Sequence, residues 1–205
     1  MSKGDKADLA AITRLYEDSL AAHGVQPLAV GWRDDASHRL RFRKLSSVIE
    51  NDEEARINDL GCGYGAFHDY LVDTRVKVVL FRGYDISEKM VSLAKERVPH
   101  GEFIVGKAID KEADYSFASG IFNVRLQESE AKWQSHIEQT LSNMFEYSTR
   151  GFAFNLLSTY VDYREPHLFY GDPLYFFDLC KRRFSRAVSL LHDYPLFEWT
   201  IAVRK

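Results

Sequence analysis

Asp59, Gly61, Gly63 and Gly65 occupy alternate positions of the stretch DLGCGYG, directly after the short run RIN. Glycine loses more conformational freedom on folding than any other residue, so three so close together mark a place that needs bare or sharply turned backbone. A Walker-type phosphate loop requires Lys-Ser/Thr after its last glycine; Ala66 and Phe67 stand there and exclude it. A dinucleotide loop reads G-x-G-x-x-G, whereas these glycines recur every second residue with a carboxylate two positions ahead. A carboxylate at the mouth repels a pyrophosphate and attracts a cation. The pattern therefore points to a nucleoside with ammonium and sulfonium groups, S-adenosylmethionine; a plain tight β–α turn is the alternative.

Asp85, in RGYDIS, lies about two dozen residues further on, at the end of the next strand pattern. Nucleotide-binding α/β folds place an acid there to accept two ribose hydroxyls. A helix-start role is the competing account, but Ser87 already fills it. Loop and acid together favour an adenosyl ligand.

The elements that must position these residues follow from the apolar periodicity. Helical spacing appears over 7–22 and around 35–50, the second helix burying Leu40, Leu45, Val48 and Ile49. From about residue 35 helix and strand signals alternate, as in an α/β fold with a mostly parallel sheet. Strands are expected at RINDL (56–60), ending in LFRGYD (80–85), at EFIVG (102–106), DYSFASG (114–120) and GFAFNLLS (151–158). Two further segments, SRAVSLLHDY and FEWTIAVRK, read as a closing antiparallel pair around Pro195. The stretch 159–172, TYVDYREPHLFYGD, is a long aromatic loop for so short a chain, and loops of that kind are usually functional.

At 205 residues the chain suits a single domain, 1–205. A net charge of −3 gives no basic excess for nucleic acid or anionic membrane. No run approaches the length of a membrane span, and the polar start MSKGDKADLA lacks an apolar signal core. Cys62 and Cys180 form no ligand or disulfide pattern, and the seven His show no ligand spacing. A cytoplasmic location and no metal are expected; the oligomeric state is left open.

DLGCGYG, then YDIS-EKM, then DYSFASG and a final hairpin, resembles class I S-adenosylmethionine-dependent methyltransferases over about residues 55–205. YEDSLAAHG-QPLAVGW with RFRKL also looks like small stand-alone bacterial members of that family. The resemblance implies a Rossmann-like seven-stranded sheet with one antiparallel strand, helices on both faces and a helical lid over 1–50. It implies S-adenosylmethionine as cofactor and S-adenosylhomocysteine as product. The backbone at Gly61, Cys62 and Gly63 would face the methionyl part, behind Asp59 at the mouth of the loop, Asp85 would bind the ribose, and Ile86 and Met90 would sandwich the adenine. Ala108 and Ile109 would touch the adenine edge, although Gly106-Lys107 stands where the family often has Gly-Asp. Ser119 and Gly120 would lie beside the transferred methyl, and Trp32 and Arg41 would close over the cofactor, Arg41 pairing its carboxylate.

Methyl transfer from a sulfonium needs alignment and water exclusion more than a strong catalytic signature. The turn after strand four, SGIFN, lacks the prolines expected of adenine-N6 methylation, and no paired-glutamate loop for arginine appears. A small-molecule acceptor, methylated at oxygen or nitrogen, is therefore expected. His167 is the candidate general base, since its reference pKa lies near neutrality. Asn123 is a candidate for orienting the acceptor; Tyr160, Tyr163 and Tyr170 would wall the substrate under the loop 159–172. The alternatives are an NAD(P)-dependent oxidoreductase and a non-catalytic S-adenosylmethionine-binding module.

Overall fold

Apolar residues on alternate positions of the central strands supply two cores at once. In the fifth strand Phe152, Phe154 and Leu156 join one hydrophobic cluster and Ala153 the other; in the last strand Trp199, Ile201 and Val203 oppose Ala202 in the same way. Such strands must be covered on both faces. The computed structural model describes residues 7, 9–26, 34–49 and 54–205. Trp32 lies outside the described residues.

β1 (Ala55–Leu60), β2 (Val78–Asp85), β3 (Glu102–Val105), β4 (Ala113–Ala118), β5 (Ser148–Leu157), β6 (Ala187–Leu191) and β7 (Glu198–Arg204) form one sheet. Its order is β3-β2-β1-β4-β5-β7-β6. Only β7 runs against its neighbours, pairing antiparallel with both β5 and β6. The expected Rossmann-like sheet with an antiparallel last strand is the observed one. The helices divide between the faces. α1 (Ala10–His23), α5 (Glu130–Glu146) and α6 (Pro173–Arg183) cover the Phe152/Trp199 side; α2 (Asp35–Ser46), α3 (Ala66–Asp73) and α4 (Glu88–Arg97) cover the other.

Local capping signals start these helices. The Ser87 hydroxyl accepts from the Met90 N–H at 3.2 Å, and the Asp172 carboxylate from the Leu174 N–H at 2.9 Å with Pro173 at the first helical position. α2 departs from expectation: it stops at Ser46, and its buried face carries His38, Arg41, Phe42 and Leu45 while Leu40 is only half-buried. Arg41 points inward there because Glu198 pairs with it, and His38 packs against the Phe42 ring with centroids 4.3 Å apart.

Two buried tryptophans fix the connections beside the sheet edge. Trp133 Nε1–H donates to the Phe122 carbonyl at 2.8 Å, and Trp199 Nε1–H to the Gly171 carbonyl at 2.9 Å. Chain direction across the sheet reverses between β1 and β4, whose ends meet at Leu60 and Ala118. Open α/β sheets bind ligands outside the carboxyl ends of their strands at such a switch point. Among the described residues, no helix is long and apolar enough to cross a membrane.

Candidate functional site

The glycine loop leaves β1 and folds back on the end of β2. The N–H groups of Gly61 and Cys62 both donate to the Tyr84 carbonyl, at 2.7 and 3.0 Å, and Gly65 N–H closes the turn on the Cys62 carbonyl at 2.9 Å. Gly61, Gly63 and Gly65 all have positive φ (77°, 52° and 87°), a conformation other residues adopt only with strain. A Cβ on Gly61 would sit 2.1 Å from Ile121 Cγ2, so the backbone there must be bare for the loop after β4 to approach.

Asp85 locks the loop to β2. One carboxylate oxygen accepts from the Gly63 N–H at 2.9 Å and the other from the Ser87 N–H at 2.9 Å. Burial nevertheless raises its pKa, against those two amides. Asp59 is more extreme. It is only 2% exposed, and among the described residues no donor or cation pairs with its carboxylate. Burial, with the neighbouring Asp85 charge, pushes its pKa up to about 8.

Both acids line a cavity over the carboxyl ends of β1, β2 and β4 that holds about 1110 Å3 with its open mouth included. Gly61, Cys62, Gly63, Ile86, Met90, Ser119 and Gly120 line it as well, so nine of the thirteen residues assigned to the cofactor share one wall. Among the described residues, the buried Ser119 hydroxyl has no hydrogen-bond partner. Across from the sheet edge, α1 contributes Ile12, Thr13 and Tyr16, with Leu9 just before it, and α2 contributes His38 and Phe42. Glu17 fastens α1 over the mouth, accepting from Ser87 Oγ at 2.9 Å and pairing with Lys89 Nζ at 3.0 Å.

Several sequence expectations are corrected by this geometry. Gly106 and Lys107, not Ala108 and Ile109, reach the cavity. Ile109 is instead clamped by Asn143, whose amide bonds both its N–H and its carbonyl at 2.9 Å. Arg41 does not line the cavity; its Nε–H donates to Glu198 Oε2 at 2.8 Å, so its charge is used inside the fold. Asn123 is buried, with its side-chain oxygen accepting from the Leu157 N–H at 3.1 Å. His167 is exposed and holds Arg125 and Leu126 through its backbone carbonyl. Tyr160 and Tyr163 are 66% and 74% exposed, and neither they nor Tyr170 line the cavity. The loop 159–172 is drawn elsewhere by Phe169, which is buried and donates its N–H to the Asn123 carbonyl at 2.8 Å.

The cavity also holds polar groups that sequence reasoning missed: Tyr16, His38, Lys107, His136 and Thr140. His38/Phe42 and His136/Thr140 are one helical turn apart, the only local signal that each pair shares a face. Burial and the adjacent Arg41 push His38 down to about 3, and burial lowers His136 as well. Burial pushes Tyr16 up to about 12. All three side chains are therefore neutral at pH 7.

Among the described residues, a buried carboxylate without a counter-ion, an unpartnered hydroxyl and a loop with no room for a Cβ at Gly61 fit a ligand that brings an ammonium and a nucleoside. Residues 58–146 match the family model described as a methyltransferase domain. Over 163 residues the chain is 52% identical to Rv1506c of Mycobacterium tuberculosis, which carries the provisional name of a methyltransferase; the match spans 77% of this chain and 98% of that one. Magnesium protoporphyrin IX methyltransferase from Synechocystis, crystallised with S-adenosylhomocysteine, shares the fold at a TM-score of 0.65 and 13% identity, covering 96% of this chain and 95% of that one. A DhpI complex containing S-adenosylmethionine aligns at 0.63 and 14% identity, with 95% of each chain covered. The chain belongs to the class I S-adenosylmethionine-dependent methyltransferases. It is an enzyme of the methyltransferase class.

Proposed function

We propose that the protein transfers a methyl group from S-adenosylmethionine to an oxygen or nitrogen of a small-molecule acceptor, with α1 and α2 as the lid. The observation that supports this reading is that those two helices contribute part of the cavity wall opposite the sheet edge. A site roofed by Leu9, Ile12, Thr13, Tyr16, His38 and Phe42 favours a small acceptor over a nucleic-acid strand or a protein loop.

S-adenosylmethionine supplies an electrophilic methyl on a good leaving group. The chain supplies binding, alignment and dryness. Asp59 meets the ammonium, Asp85 accepts from the ribose hydroxyls beside its two amide contacts, and Ile86 and Met90 flank the base. Gly106 and Lys107 take the adenine edge in place of Ala108 and Ile109. Acceptor groups entering beneath the lid meet Thr13 and His38. Because His38 stays neutral down to about 3, it orients a donor hydrogen and does not store a proton.

Isotope-labelled S-adenosylmethionine incubated with the protein and fractionated cell extract tests the reading. A labelled methyl on a small metabolite is expected; label on RNA or protein alone would overturn it. Asp85→Ala is expected to weaken S-adenosylhomocysteine binding by about 10- to 100-fold, roughly 1–3 kcal/mol, while the protein stays folded. Calorimetry measures it, and an unchanged affinity removes the ribose assignment.

A further inference from the structure

Gly120 stands in the cavity wall between Ser119 and Ile121, with a φ of 72°. Its N–H is not left to the loop. It donates to Asn155 Oδ1 at 2.7 Å, from a side chain that is fully buried in β5. The other end of that amide, Asn155 Nδ2–H, donates to Glu198 Oε1 at 3.1 Å. Glu198 lies at the start of β7, is 1% exposed, and pairs through its second oxygen with Arg41 Nε–H of α2 at 2.8 Å. Three buried side chains from three elements thus run without a break from the lid helix to one backbone amide of the cavity wall.

We infer that Arg41, Glu198 and Asn155 form a positioning network that sets the Ser119–Ile121 turn against the amino-acid end of the bound cofactor. This rests on the cofactor placement proposed above.

Stability alone is a weak reason for such a network. A buried ion pair often contributes less than apolar residues of the same volume, because desolvation offsets the attraction. What it does provide is a unique geometry. Asn155 fixes one peptide whose turn has no side-chain cap of its own. The same turn places Ile121 Cγ2 against Gly61, so a shift of Gly120 opens or shuts the glycine cradle. Arg41 sits one turn from His38 and next to Phe42, the two α2 residues in the cavity wall. Lid position and wall position are therefore set by one set of hydrogen bonds.

The test compares two ligands that differ only where the turn acts. S-adenosylhomocysteine carries the amino-acid tail; adenosine keeps the nucleoside held at Asp85 and lacks the tail. In Asn155→Leu the dissociation constant of S-adenosylhomocysteine is expected to rise about 10-fold while that of adenosine changes less than about twofold. Asn155→Asp, which keeps the acceptor for Gly120, is expected to recover part of the loss. Should Asn155→Leu not fold, Glu198→Gln gives the same comparison with no change of volume. Parallel weakening of both ligands, or no change in either, overturns the network's role. Wild-type protein that binds neither ligand overturns the cofactor placement itself, and the network assignment with it.

Discussion

Asp59→Asn is expected to raise the melting temperature of the ligand-free protein and to abolish the further rise that S-adenosylhomocysteine gives the wild type. The two effects have one cause. Asp59 is enclosed, lies near the Asp85 charge, and has no cation or donor paired with it among the described residues. Its carboxyl titrates near 8 in the fold, whereas an aspartate in the unfolded chain titrates near ~4. A carboxyl whose pKa is raised on folding lowers stability, and the sign follows from proton counting. Below about 4 both states are protonated and nothing is lost; as pH rises toward 8 only the unfolded chain gains by ionising; above 8 the difference is constant. At pH 7 the cost is on the order of 2–4 kcal/mol, which the isosteric amide removes in part. Differential scanning calorimetry from pH 4 to pH 8 should show the gap between variant and wild type widening with pH.

The same carboxyl makes cofactor binding release a proton. An ammonium placed beside Asp59 favours its ionised form, so affinity should increase from pH 6 toward pH 8. The increase ends where the ligand's own amino group, with a reference value near ~8, begins to lose its charge. A gap that stays flat with pH would overturn the raised pKa of Asp59, and an Asn variant that still shifts with ligand would remove Asp59 from the cofactor site.

The parts of this arrangement legible in the sequence are those set by short-range rules. The glycine loop was readable because three positive φ values demand glycine, and Asp85 because it ends the next strand. The strands were readable because period-two burial on both faces leaves apolar runs with sharp ends. The parts that were not legible depend on partners far away in the chain. Arg41 looked available for a carboxylate ligand, but Glu198, 157 positions later, takes it. Ala108 and Ile109 looked correctly placed after β3, but Asn143, 34 positions later, draws Ile109 inward and leaves Gly106 and Lys107 at the cavity. His38 and His136 follow the same 3.6-residue period as the core, and periodicity cannot distinguish a face against a core from a face against a cavity. The aromatic loop misled for a related reason: Phe169 and Trp199 fasten it to the body of the protein, so Tyr160 and Tyr163 face solvent and the half-buried Tyr170 turns back on the loop, its hydroxyl accepting from the Glu165 N–H.

Gly61→Ala is expected to cost the ligand-free protein about 2–4 kcal/mol and to remove detectable binding of S-adenosylhomocysteine. Two independent penalties add. At φ +77° the alanine Cβ crowds its own backbone, a strain of about 1–2 kcal/mol. That Cβ would also lie 2.1 Å from Ile121 Cγ2, well inside contact distance. Isoleucine is branched at Cβ and stiff at χ1, so the clash is relieved by moving the turn and not by a simple rotamer change. The turn that moves is the one carrying Ser119 and Gly120, which is also held by Asn155. Relief at Ile121 therefore works against the Gly120 hydrogen bond, and the cradle distorts from both sides. Adding Ile121→Ala removes the clash but leaves the φ strain. The double variant should thus recover about half of the lost stability and a measurable part of the affinity, read by thermal melting and calorimetry on the same samples. A double variant no more stable than Gly61→Ala would show that Ile121 is not what keeps position 61 bare.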